Sequence, residues 1–219
     1  MTKAVLSVFV VGLFLSTAEV PGMAQSQVSW LEKAQALERD GFWGEAAEAW
    51  NKLATIGPNP KLVTYARLRL GTIYLKLGQL QQSIDAAQEV VKSHPDNFDA
   101  HFHLANSLSS FQRFSEAIKA YEKTVILKPE EGLGYVGLGL AFFGNSDSKK
   151  AIEALLKAKK LFKDKRNISW YRDTRVMVGQ IKHFEKFPPS FSNLWLKNNF
   201  KVVHDTYEET VFNAKQYLR

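Results

Sequence analysis

With no cysteine in its 219 residues, the chain leaves nucleophilic and metal chemistry to five histidines: His94, His101, His103, His183 and His204. His101 and His103 are two apart on one predicted helix. They point in different directions and cannot share a metal as an i, i+4 pair could. A place in the core or in a groove is expected for both. His204 stands beside Asp205, but no serine occurs in a nucleophile setting. The chain carries no phosphate loop, dinucleotide fingerprint or zinc-protease motif. The reading is therefore a non-enzyme with no catalytic residues, no metal and no cofactor. A site assembled across a groove from distant positions is the alternative left open.

The elements that would carry such side chains follow one interval, 34 residues. It separates Ala117 from Ala151, Pro95 from Pro129, and Gly71 from Ala105 and Gly139. A fixed period of that length means stacked helix–turn–helix units, which hold other molecules rather than transform them. Four segments superimpose: 27–60, 64–97, 98–131 and 132–165. Helices are predicted over 27–40, 44–57, 64–77, 80–93, 98–111, 114–127, 132–144 and 148–162. Small residues fall mid-helix at Gly71, Ala105 and Gly139, and on the second helices at Ala46, Ala117 and Ala151. Glycine there costs up to ~1 kcal/mol against alanine, so close helix approach is expected. Leu70 and Tyr74, Leu104 and Leu108, and Leu138 and Phe142 fill the space around those contacts. Gly41 and Gly78 mark turns within pairs, and Pro58, Pro95 and Pro129 end the second helices.

These positions resemble the tetratricopeptide repeat family, whose pattern is Trp-x2-Leu-Gly-x2-Tyr, then Ala-x3-Phe, then Pro. The second segment offers Leu70, Gly71, Tyr74, Ser83, Ala87 and Pro95, and the third Leu104, Ala105, Leu108, Ala117, Tyr121 and Pro129. The fourth offers Tyr135, Leu138, Gly139, Phe142, Ala151 and Leu155, with Lys163 in place of the proline. The first offers Trp30, Ala34, Leu37, Ala46, Trp50 and Pro58, with Lys33 in place of the leucine. The resemblance implies an all-α, right-handed α-solenoid of four repeats.

It also implies a concave face lined by the first helix of each repeat. By carry-over, the partner-binding residues are Tyr65, Leu68, Thr72 and Leu75; then Phe102 and Asn106, with Asp99 and Ser109 beside them; then Leu133, Val136, Leu140 and Phe143. That lining is apolar and aromatic around a polar centre at Asn106, and it suits an apolar peptide or an amphipathic helix. The carboxylate clamp of some family members does not fit, because Leu68, Thr72 and Leu133 stand where its polar residues belong. The protein's own tail is the other candidate to fill the groove.

That tail departs from the period. Residues 168–186 read as a helix capping the fourth repeat, ended by Pro188-Pro189. Leu196, Phe200, Val203, Tyr207, Val211, Ala214 and Leu218 then mark an amphipathic helix over Asn193 to Leu218. A strand over 200–212 is a lesser alternative. The helix packs along the array, swaps into another copy or docks on a partner, and the oligomeric state stays open.

At the other end, Lys3 and the uncharged run Ala4 to Ala18 precede Gly22-Met23-Ala24. This is the layout of a cleaved signal peptide over 1–24, so the chain is expected to be exported: periplasmic, lumenal or secreted. An uncleaved membrane anchor is the alternative. The net charge is +7. Eight basic residues against two acidic ones fall between Lys149 and Arg166, a solvated face or a patch for an anionic membrane or acidic partner. Export argues against nucleic acid. The expected role is a protein- or peptide-binding scaffold that assists complex assembly. A membrane-anchored assembly factor, or an enzyme subunit docking by its C-terminal helix, is the alternative.

Overall fold

A computed structural model describes residues 21–57, 59–186 and 188–218. The described residues form helices and no strand. In chain order these are α1 (Pro21–Arg39), α2 (Trp43–Ile56), α3 (Pro60–Lys76), α4 (Leu80–Ser93), α5 (Phe98–Ser110) and α6 (Phe114–Leu127). Next come α7 (Gly132–Gly144), α8 (Ser148–Asp164), α9 (Ile168–Ile181), a 3₁₀ turn (Phe184–Lys186), α10 (Pro189–Thr210) and α11 (Lys215–Leu218). The leader expected over 1–24 lies largely outside the described residues, as does Pro58. Helix α1 starts at Pro21, where proline is tolerated in a helix's first turn.

The chain is an α-solenoid in which each helix from α1 to α9 packs on the next, and α3, α5 and α7 also touch across repeats to form the inner wall. The turn inside each pair needs one left-handed residue. Gly41 (φ 82°) and Gly78 (φ 73°) supply it in the first two repeats. Gln112 (φ 60°) and Ser146 (φ 64°) take the same place in the next two, so the geometry persists where glycine is absent. Side-chain caps fix the entries to the inner helices. Asn59 accepts from the Lys61 amide, Asn97 from Ala100 and Glu131 from Leu133. The Asn59 cap explains why α3 begins four residues before its predicted start.

Ala46, Ala117 and Ala151 are fully buried at the helix contacts. Gly139 is a strict requirement: a Cβ there would sit 2.8 Å from Leu155 Cγ and 3.0 Å from the Ala151 carbonyl oxygen. Gly71 is not, because a Cβ would meet only the Ser83 carbonyl oxygen, at 3.7 Å. Beyond the fourth repeat α9 packs on α8, with Trp170 stacked on Phe162 at 5.6 Å. The predicted helix over 168–186 stops at Ile181, and the following turn brings Phe184 against Phe143 and Trp195.

Candidate functional site: an inner groove occupied by the C-terminal helix

The inner wall is covered. Helix α10 lies on α7 and α5, and α11 lies on α3, so the tail runs back along the groove from the fourth repeat to the second. Residues 200–210 are helix rather than the alternative strand, because Leu196, Phe200, Val203 and Tyr207 recur at helical spacing and are all buried. The expected single helix over 193–218 is broken. The Phe212 amide returns to the Tyr207 carbonyl, and the Asn213 side chain caps a new turn at Lys215.

At the fourth-repeat end, Trp195 stands edge-on to Phe143 with centroids 5.6 Å apart, and its indole N–H donates to Gln180 Oε1 at 3.0 Å. Phe200 stacks on Phe114 at 6.2 Å. In the middle, Tyr207 lies on Phe102 with centroids 3.9 Å apart. At the far end, Tyr65 is flanked by Phe212 at 6.1 Å and Tyr217 at 6.0 Å.

Two polar centres punctuate this apolar seam. Asp99, 3% exposed, accepts from the Tyr207 hydroxyl, from Tyr217 at 2.7 Å and from Gln216 at 2.6 Å. Asn97 Nδ2 donates to the Tyr217 hydroxyl at 3.1 Å. The second centre is Arg69, ion-paired to Glu38 of α1 and to Glu208 of α10. Thr72 Oγ1 adds a bond to Glu208 Oε1 at 3.1 Å, and the Trp50 indole N–H holds Glu38 at 3.0 Å. Burial disfavours the Arg69 cation, but the facing carboxylates outweigh it and raise its pKa. Burial likewise pushes Glu208 upward, and Arg69 above all reverses this, holding the carboxyl down at about 2. Burial lowers the His103 pKa and takes His204 to about 4, so both imidazoles are neutral near pH 7.

Of the ten residues assigned to the groove, eight are buried and two, Leu75 and Phe143, are half-buried. Tyr65, Thr72, Phe102 and Phe143 touch the tail. Leu68, Leu133, Val136 and Leu140 are buried in the core. Asn106 accepts from the Tyr121 hydroxyl at 2.9 Å and donates to the Phe102 carbonyl, so it ties α5 to α6. His103 and His101 do not pair, but His103 meets His204 across the groove, with ring centroids 5.9 Å apart.

Sequence reasoning missed Arg69, Glu38 and Glu208. A signal was present. Arg69 and His103 share one repeat position, 34 apart, and the tail's apolar stripe carries His204 and Glu208 one turn apart. An open cleft of about 670 Å³ remains beside the Arg69 centre, lined by Gln35, Glu38, Trp43, Lys76 and Glu209 among others. The basic run lies along α8, where Lys157 and Lys160 are exposed and Lys159 is half-buried. No helix among the described residues is long and apolar enough to cross a membrane.

A family model described as tetratricopeptide repeat matches residues 68–131 and 104–165. The small glutamine-rich tetratricopeptide repeat-containing protein 2 of Mycosarcoma maydis is 30% identical over 115 residues, covering 49% of this chain and 32% of that protein. The chain spans less than a third of the length of the curated relatives it matches. Among solved structures, MamA from Desulfovibrio magneticus RS-1, residue 41 to its end, superimposes with a TM-score of 0.64 at 22% identity, covering 87% of this chain and 99% of that one. YrrB, described as a TPR protein with an unusual peptide-binding site, gives 0.56 at 19% identity, covering 64% and 71%. Period, helix pairing, turn geometry and family match agree: residues 68–165 of the chain are tetratricopeptide repeats.

Proposed function

We propose that this protein is a non-catalytic scaffold whose inner groove captures an amphipathic helix of a partner protein, in exchange for its own C-terminal helix. The observation that carries this is the way α10 sits. It is a 22-residue helix whose apolar stripe fills the groove, with its Tyr207 hydroxyl on Asp99 and its Glu208 on Arg69. A partner helix with an aromatic stripe and an acidic residue near its C-terminal end meets the same surface. The peptide-binding site of YrrB, on the same fold, supports the reading. Docking through α10 as the free element of an enzyme subunit is less well supported, since its apolar face is spent on its own solenoid.

The compartment belongs to the proposal as well. The charged start, apolar run and Gly22-Met23-Ala24 read as a leader for export, where such a scaffold assists complex assembly. Mass spectrometry of the native N-terminus tests this: a mature chain beginning at Gln25 supports it, and an intact Met1 overturns it.

Helix capture is tested by crosslinking in the native compartment. Tyr207→Ala loosens the tail and increases partner capture, whereas Phe102→Ala, on the wall, decreases it. Equal capture by both variants and the wild-type chain rejects the groove as the binding surface.

A further inference from the structure

His103, His204 and Glu208 come from two segments about a hundred residues apart, and the fold presses them together under the tail. His204 and Glu208 are one turn apart on α10 and share a face. His103 faces them from α5. One ligand atom of each lies within 4.8 Å of the others. His103 Nε2 is 3.4 Å from Glu208 Oε1, long for a hydrogen bond. It has no hydrogen-bond partner, and neither do both ring nitrogens of His204. The two imidazoles are 2% and 4% exposed. Buried polar atoms in native proteins are nearly always satisfied, so an unsatisfied nitrogen on each of two imidazoles, with ligand atoms within 4.8 Å of one another and of a carboxylate, indicates a missing partner.

We infer that His103, His204 and Glu208 bind one divalent transition-metal cation, with zinc the best match, and so bridge α5 to α10. Two neutral imidazoles and a carboxylate suit zinc and its first-row neighbours, whereas calcium and magnesium prefer all-oxygen sets. Bonds of about 2.0–2.2 Å bring the donor atoms to roughly 3.3–3.5 Å apart. The inward movement this needs falls on His204, whose ring no hydrogen bond restrains. Glu208 is already held for the task. Arg69 pairs with its Oε2 and Thr72 bonds its Oε1, the outer-shell support that metal-bound carboxylates use. Glu38 takes up much of the Arg69 charge, and Asp99 adds a further carboxylate near His103. Three protein donors leave a fourth position for water. The inference holds whether or not the groove admits an outside helix.

The test is equilibrium dialysis of the full chain, stripped with chelator, against zinc, with no partner present. One zinc per chain and a raised melting temperature are expected. His103→Gln, His204→Gln and Glu208→Gln each weaken binding more than tenfold, while His94→Gln, at an exposed histidine, leaves it unchanged. Cobalt substituted into the wild-type chain gives visible d–d bands of a low-coordinate nitrogen–oxygen site. A wild-type chain that emerges from dialysis without metal overturns the inference whatever the variants do. So does zinc binding that survives His204→Gln in a chain with native circular dichroism. Either failure leaves helix capture standing, because that is read with a partner and without zinc.

Discussion

Tyr207 and Phe102 lie nearly parallel, centroids 3.9 Å apart and planes 18° from one another, with the Tyr207 hydroxyl donating to Asp99. The pair joins the tail to the wall of the third repeat, and its apolar and polar parts can be separated. Tyr207→Phe keeps the stack and removes the bond to a carboxylate, at a cost of about 1.5–3 kcal/mol. Tyr207→Ala loses both and costs about 3–5 kcal/mol. Urea unfolding of the three chains measures the difference, and equal losses for the two variants contradict the assignment.

Arg69 and Glu208 provide a second check, by double-mutant cycle. Arg69→Met leaves two carboxylates facing each other in a largely buried site, and Glu208→Gln leaves the guanidinium half-matched. Removing one partner of such a pair costs about 3–5 kcal/mol. The double variant loses clearly less than the sum of the two singles when measured with chelator present. Additive losses mean the two side chains do not interact in solution.

The two mid-helix glycines have opposite fates. Gly71→Ala meets no obstacle and gains about 0.5–1 kcal/mol from helix propensity. Gly139→Ala drives a methyl toward Leu155 and the Ala151 backbone and costs about 1–3 kcal/mol. Thermal melts of both decide it, and the register is wrong if the signs are reversed.

Tyr121 makes the stability sensitive to alkali. Burial raises its pKa above the ordinary value, and the hydroxyl donates to Asn106 at 2.9 Å. The folded-state pKa exceeds the unfolded one, so this contribution is complete below pH ~10 and declines above it, as only the unfolded chain gives up the proton. The decline is about 1.4 kcal/mol per pH unit for one such group. Tyr121→Phe loses about 1 kcal/mol at neutral pH and has a shallower alkaline slope, measured by urea midpoints at pH 9, 10 and 11. An unchanged slope refutes the role given to this phenol.

Repeat register was legible because it depends on local spacing. A left-handed residue, a cap and a small residue recur with the period, and each acts within one helix pair. The seat of the tail was open to sequence reasoning for a physical reason. Leu196, Phe200, Val203 and Tyr207 declare an apolar face but not which surface covers it. Least legible was the charged centre, where Arg69 joins Glu38 and Glu208 across separations of 31 and 139 residues. No local pattern encodes such a meeting. The break after Thr210 was hidden for the converse reason. The apolar spacing continues through Val211 and Ala214, and a single asparagine, Asn213, restarts the helix.

Stacked arrays in which every unit touches only its neighbours can fray from either end, one unit at a time. Here a strap fastened at Trp195 and again at Tyr217 crosses the intervening units, so none of them can leave without releasing it. The molecule thereby trades the piecemeal melting of an open ladder for the all-or-none loss of a buckled one.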